Sequence, residues 1–529
     1  MRLTHTLLAT AILLGFQTTA FAVEPGAPTR LLSYDILISD QLERDLAATR
    51  VRKGDDATPA IKAFYAERNF QPLWITGKGF GPSAKKAIAE IRRAGDYGLD
   101  ASKFSLPPIV ASGSVADRIA DEMALTHAVL EYAVHARGGR IDPRSLSVYL
   151  DRSGYLVPPE KVLASVAATS APDEYLRSLQ PQHAEFKRLQ KRYLALRDNG
   201  ESKKQIRIPR GPKLRLGKKH PHVALLRKRL GLELSQPVRT TDAEGSDPDD
   251  FDAYGDRLQP APPDPNEFDE TLDEAVREFQ TKNGLMVDGI VGRGTRAALN
   301  GDGVDQTKRI LVNMERWRWM PQDLGNYYVW ANVPDYKFYV MKNGRVIHSE
   351  RIIVGKYRNQ TATFSDEMEE IVFNPRWNVP RSIKENELLP GLLRSPNALA
   401  RQGLRVRYRG REIDPVSVDW AVADMRRFHI YQPPGPRNAL GRVKFLFPNK
   451  HAIYMHDTPS KRLFKRSTRT FSHGCVRVRN PMRLAEVLLA HDQGMSPATI
   501  RRFVRRGARD SVFLKRKIPV HITYFTARA

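Results

Sequence analysis

The sequence predicts a multidomain α+β chain: a mainly helical region, then a small three-helix module, then a mostly-β domain with helices attached. Three observations carry this. The 529 residues are too many for one hydrophobic core, at about 100–200 residues per domain. Apolar residues recur at helical spacing early in the chain, as at Ile61, Phe64 and Tyr65. Strand-like runs with a hairpin signal fill the last part.

The first segment is an address. Met1-Arg2 is basic, Leu7 to Phe16 is almost wholly apolar, and Ala20-Phe21-Ala22 has the small-x-small form of a cleavage site. This is the pattern of a secretory signal at 1–22, with an apolar stretch short of the roughly 20 residues a bilayer span needs. An exported protein, periplasmic and without a membrane span after cleavage, is expected.

Residues 23–205 read as a helical scaffold. Helical spacing returns in Lys85 to Arg93 and Ala116 to Ala136, punctuated by Pro72, Trp74 and Pro107-Pro108. No catalytic constellation occurs there. Residues 206–302 form a split module. Val223, Leu225, Leu226, Leu230 and Leu232 line a first helix, and Leu272, Ala275, Val276 and Phe279 a second. Asn283-Gly284 stops the second, with Gly284 suited to its C-cap, and Asp288-Gly289-Ile290-Val291-Gly292 turns into a third, ending at Leu299-Asn300. Between the first two lies an acidic, proline-rich insertion at 233–268. An EF-hand register from Asp250 would put Tyr254 and Ala261 where oxygen ligands belong, which excludes calcium of that kind.

Residues 303–529 carry the strand signals. Tyr327 to Val333 and Phe338 to Met341 flank Asn343-Gly344, a strong hairpin turn, and Val346-Ile347, Ile352 to Val354 and Ile371 to Phe373 continue the pattern. A helix is expected at Met482 to Ala490. Residues 381–440, rich in turn formers, are a candidate lid. Trp317 and Trp319 read as packing residues.

Charge and cysteine usage narrow the chemistry. The net charge is +26, and the segment Gly441–Ala529 holds 20 basic and 4 acidic residues. Behind an export signal such a surface suits an anionic envelope polymer better than nucleic acid. The chain has a single cysteine, Cys475, which excludes an internal disulfide, a multi-cysteine zinc site and an iron–sulfur cluster. No zinc-ligand spacing occurs, so neither metal nor cofactor is expected.

Cys475 sits in Phe471-Ser472-His473-Gly474-Cys475-Val476-Arg477-Val478, 19 residues after His456 of Ile453-Tyr454-Met455-His456-Asp457-Thr458. A thiol of ordinary pKa, about 8.5, needs a base or a positive field to act as a nucleophile. His456 and His473 offer the base and Arg477 the field, while Gly474 permits close backbone approach and main-chain N–H groups that could hold an oxyanion. Tyr454 adjoins the histidine as core strand or pocket wall.

These runs resemble the YkuD-type L,D-transpeptidase motif, a histidine followed after a spacer by S/T-H-G-C-x-R/N. The long YcbB-like branch fits best, because Phe373-Asn374-Pro375-Arg376-Trp377-Asn378-Val379-Pro380 and Gln432-Pro433-Pro434-Gly435-Pro436-Arg437-Asn438-Ala439-Leu440-Gly441 are similar to it too. Asp457 stands where shorter members often have glycine. The split module, with F-Q-x-x-N-G-L and D-G-x-V-G-x-x-T, resembles a peptidoglycan-binding domain. The resemblance implies Cys475 as nucleophile and His456 as base, with His473 and Gly474 in the catalytic loop. It further implies Ser472, Arg477, Tyr454 and Trp377 around the substrate, and leaves open whether His473 is a second base or a structural ring. It implies 3→3 cross-linking of peptidoglycan stem peptides in the sacculus, with release of D-alanine. Hydrolysis, D-amino-acid exchange, protein anchoring and a non-catalytic wall-binding scaffold are the alternatives.

Overall fold

The computed structural model describes residues 33–528 except 55–56, 77, 109–112, 199–205, 233–263, 284, 286, 301–305 and 396. The signal expected at 1–22, most of the acidic insertion and Gly284 lie outside the described residues. The chain divides into two compact units, one formed by residues before 90 with 105–130 and 158–172, the other by 90–104, 131–157 and 173–529. The helical region expected at 23–205 is therefore shared between both.

The first unit is held by a buried carboxylate. Helices Ala57–Glu67 and Pro82–Arg92 present the expected apolar stripes. Glu122 accepts hydrogen bonds from the Tyr65 hydroxyl at 2.6 Å and from the backbone N–H groups of Leu73, Trp74 and Ile75. Burial pushes its carboxyl up, but four donors converge on it, so the loop after Pro72 has a fixed course.

In the second unit, helices Pro221–Leu230, Glu270–Lys282 and Arg293–Asn300 enclose a small core of Leu214, Val223, Leu226, Leu272, Val276, Val291 and Leu299. The first helix stops at Gly231 with φ 73°, so Leu232, expected within it, instead packs beneath its end. Gln280 explains the F-Q and D-G pairing. Its amide donates to Asp288 Oδ1 and the Ile290 carbonyl, and its carbonyl accepts from Asp288 and Gly289. Gly289 has φ 72° against Asp273, where no Cβ fits.

The catalytic-motif region is a nearly continuous β-structure. Its strands are β1 (Tyr327–Asn332), β2 (Lys337–Lys342), β3 (Arg345–Gly355), β4 (Phe364–Phe373), β5 (Trp377–Asn378), β6 (Arg405–Tyr408), β7 (Arg411–Ile413), β8 (Phe428–Gln432), β9 (Val443–Leu446), β10 (Met455–His456), β11 (Thr470–Ser472), β12 (Val476–Val478) and β13 (Asp510–Thr523). The main sheet runs β11-β3-β12-β10-β9-β4-β13-β1-β2, and β2 pairs again with β3, so the sheet closes on itself. Asn343 and Gly344, both at positive φ, make the expected β2–β3 turn. β1 is buried throughout because both faces are covered: Val329 and Ala331 face the main core, Tyr328 and Trp330 a second one. Trp317 stacks on Phe525 in that second core, 4.5 Å between ring centroids, and Trp319 is buried as well. Helix Pro481–Gln493 packs Leu484, Ala485, Leu488 and Leu489 into the main core.

Residues 381–440 are more ordered than a turn-rich loop. Short helical turns pack on a sheet of order β5-β8-β6-β7, around a core of their own that includes Leu392, Leu399, Val406, Trp420 and Ile430. The insert joins the barrel through a polar neck. The Asn438 amide donates to the carbonyls of Pro375 at 3.0 Å and Pro433 at 2.9 Å, and the Asn374 amide to Phe503, Val504 and Ala508. Asn438→Ala orphans several buried carbonyls, a cost of about 1–3 kcal/mol. The expected result is a lower melting temperature with earlier proteolytic cutting at the insert boundaries than in the parent, read by timed digestion and mass spectrometry.

Candidate active site

The two motifs meet through strand pairing. β10 and β12 run parallel, Met455 opposite Val476 and His456 opposite Arg477, and Val476 N–H donates to the Tyr454 carbonyl at 3.0 Å. Parallel neighbours require a crossover of a dozen residues or more. That requirement accounts for the 19-residue separation of His456 and Cys475.

Cys475 lies in the turn entering β12, partly accessible, its thiol 3.8 Å from the Ala452 carbonyl that accepts its proton. Burial pushes the thiol up, while the adjacent Tyr454 and the charges of Lys444 and Arg477 pull it back. Tyr454 is thus a wall of the site: its phenol reaches the thiol, and burial and the thiol together hold it protonated. Lys444 Nζ lies 3.9 Å from the Tyr454 ring centroid.

His456 is 5% exposed. Its Nδ1 bonds to the Asp457 carbonyl, which can only accept, so Nδ1 carries the proton and Nε2 keeps its lone pair. Burial, then the nearby charge of Arg477, lowers its pKa to about 3. The site at neutral pH is therefore a neutral thiol with a neutral imidazole, and Nε2 is ready to take a proton. Asp457 earns its place where a glycine is commoner: its carboxylate accepts from Arg442 N–H, Thr458 N–H and Lys461. Gly441, at φ 60°, leaves room for that carboxylate, which a Cβ would meet at 2.4 Å.

The turn itself is self-supporting. Ser472, implied as a substrate contact, is 1% exposed. Its hydroxyl donates to the Cys475 carbonyl at 2.6 Å and accepts from Gly474 N–H at 3.1 Å. Gly474 has φ 116°, and its carbonyl accepts from Thr361, which also caps Gly355 N–H. Gly474 and Val476 N–H groups are both engaged within the protein, so neither is the expected oxyanion donor. Thr361 was invisible in the sequence, 113 residues from its partner.

The remaining residues fall elsewhere. His473 is exposed and its Nε2 pairs with Glu387 of the insert. Arg477 is half-buried opposite His456, and its Nε has no hydrogen-bond partner among the described residues. Trp377 packs against the insert's core. Its neighbour Asn378 instead lines a cavity of about 570 Å³ with Pro375, Arg376, His429, Pro434, Lys444 and Arg509. Lys444 thus touches both this cavity and the thiol's surroundings. Its signal in the sequence was only alternation with the apolar residues of β9. Among the described residues no group of three or more His, Cys, Asp or Glu is arranged to hold a metal, and no helix is long and apolar enough to cross a membrane.

Comparison with known proteins agrees with this geometry. Residues 59–192 match "Scaffold domain", 251–299 match "Putative peptidoglycan binding domain", and 326–500 match "L,D-transpeptidase catalytic domain". A "Putative L,D-transpeptidase" of Haemophilus influenzae is 32% identical over 223 residues, which is 42% of this chain and 45% of that protein. The aligned segment thus spans under half of the relative. Among solved structures, an L,D-transpeptidase from Xylanimonas cellulosilytica is 14% identical, with 59% of this chain and 98% of that one covered at a TM-score of 0.17. One from Mycobacterium smegmatis is 11% identical, with 37% and 58% covered at 0.18. These superpositions are too poor to carry weight; the sequence matches carry it. Residues 326–500 are a YkuD-family L,D-transpeptidase catalytic domain, in a chain that also bears a peptidoglycan-binding domain.

Proposed function

We propose that the protein is an exported L,D-transpeptidase that forms 3→3 cross-links in peptidoglycan through an acyl-enzyme on Cys475. The observation that carries the reading is the parallel strand pairing that brings the segment of the sole, part-buried thiol beside a buried histidine whose Nδ1 is already bonded to the Asp457 carbonyl. The sulfur attacks the carbonyl of the third residue of a donor tetrapeptide stem. His456 Nε2 takes the thiol proton and returns it to the departing D-alanine amine as the C–N bond breaks. A side-chain amine of a neighbouring stem then attacks the thioester, gives up a proton, and releases the thiol. The cavity beside the site suits the donor stem: Arg376, Lys444 and Arg509 line it and, among the described residues, no carboxylate does, a field that favours an anionic peptide. The insert at 381–440, paired to His473 through Glu387, acts as the lid over this cavity.

Mass spectrometry of the protein mixed with tetrapeptide-bearing muropeptides should show one acyl group on Cys475 and a 3→3 dimer product. Cys475→Ala should lose both while remaining folded; a product that survives in that variant sinks the mechanism. Products ending in free tripeptide or an exchanged D-amino acid would instead identify water or a D-amino acid as the acceptor. His456→Ala should slow acylation by about 10²–10⁴-fold, and His473→Ala by clearly less.

The pH dependence of acylation has a definite form. Because His456 titrates near 3, its base form is present throughout the neutral range. Burial also holds the thiol protonated, so the pair that exchanges the proton keeps one protonation state and the rate should be level from pH 6 to 8. A break near pH 6.5, the ordinary histidine value, persisting in His473→Ala would show that His456 is not held neutral.

Wall attachment has two sources, the basic segment 441–529 and the module at 206–302. Salt shortens the Debye length from about 10 Å at 0.1 M to about 3 Å at 1 M, so sacculus pull-down should fall in part. A salt-resistant remainder should disappear when the module is deleted. Complete release at 1 M salt would make the module a spacer.

A further inference from the structure

The Ala452 carbonyl that accepts the Cys475 thiol proton sits on a strained and braced loop. Ala452 has φ 51°, a conformation costly for a side-chain-bearing residue. Asn449 holds it from within: Oδ1 accepts from the N–H groups of His451 and Ile453, and its amide donates to the carbonyls of Phe447 and Ile453. From outside comes Asp151, 300 residues earlier in the chain. One of its oxygens bonds His451 Nε2 at 2.8 Å and the other pairs with Lys450 at 2.7 Å. The His451 ring also lies 5.5 Å from that of Phe364.

Asp151 is itself fixed. Thr363 N–H donates to the Tyr149 carbonyl at 2.8 Å. Arg152, buried, donates to Ser365 and to the carbonyls of Phe364 and Ile522. Residues 149–152 are therefore docked on β4 and β13, within the same compact unit as the thiol.

We infer that Asp151 is a positioning residue for the transpeptidase reaction, acting through His451 and Lys450 to hold the Ala452 carbonyl against the Cys475 thiol. The carbonyl keeps the sulfur in one rotamer and favours its protonated form, because a carbonyl oxygen repels a thiolate. Loss of the brace frees the thiol to rotate and to ionise more readily, while making productive attack rarer.

The inference rests on Cys475 being the nucleophile, and the two fail differently. If that reading is wrong, muropeptide leaves no acyl group on Cys475 of the parent. The brace is tested separately by alkylating the sole thiol with iodoacetamide across pH 6–10, which requires no catalysis. In Asp151→Ala the alkylation midpoint should move down by about half a pH unit, the scale of a weak S–H···O bond. Acylation by muropeptide should slow about tenfold to a hundredfold, as a misplaced reacting group does. Asp151→Asn, which keeps an oxygen facing His451, should restore most of both. If Asp151→Ala does not fold, His451→Phe keeps a ring beside Phe364 without the bond to Asp151 and should show the same shift. An alkylation profile superimposable on the parent's, or a loss that Asp151→Asn fails to relieve, overturns the proposal.

Discussion

The parallel pairing of β10 with β12 is the constraint on which the site depends. Two residues of β10 place His456 beside Arg477, and the Tyr454 carbonyl receives the N–H of Val476 immediately after the cysteine. Both strands are flanked by longer partners in a sheet that closes on itself, with Met455, Val476 and Val478 buried in the common core. A shift of one residue in either strand would turn its apolar side chains outward and the chemistry inward. Core packing therefore fixes the catalytic register, although neither strand is long enough to do so alone.

The electrostatics follow from where that register puts the groups. His456 is buried among cations, and so stays neutral; Cys475 is desolvated, and so stays a thiol, with Lys444 and Arg477 easing its ionisation. The resting site avoids a buried ion pair and its desolvation cost. In the proposed reaction, charge separates only as the sulfur adds to a substrate carbonyl. The price is a slower nucleophile, which the proton acceptor at Nε2 offsets. The Ala452 carbonyl, on the opposite account, holds the proton on sulfur between turnovers.

Two residues read as substrate contacts and one read as part of the catalytic loop make contacts within the protein. Ser472 ties its turn together from inside, Trp377 belongs to the insert's core, and His473 reaches Glu387. Their motif neighbours are close in sequence, yet a single turn sends successive side chains to opposite faces. The runs at 373–380 and 432–441 have a parallel explanation. Asn374 and Asn438 satisfy carbonyls at the neck where a separately cored insert leaves the barrel.

The sequence by itself singled out the candidate nucleophile, since there is one thiol, and its candidate histidine, through the motif the two share. It also determined the helical stripes, the Gln280 and Gly289 turn, and the β2–β3 hairpin, because each depends on residues within a few positions of one another. Tertiary structure alone decided that Tyr454 faces the thiol, that Lys444 joins it to a cationic cavity, that Thr361 props Gly474, and that Asp151 braces the loop of Ala452. Those contacts join residues from 10 to 300 positions apart. Their partners are selected by sheet closure and strand register, and neither property is written in any local stretch of the chain.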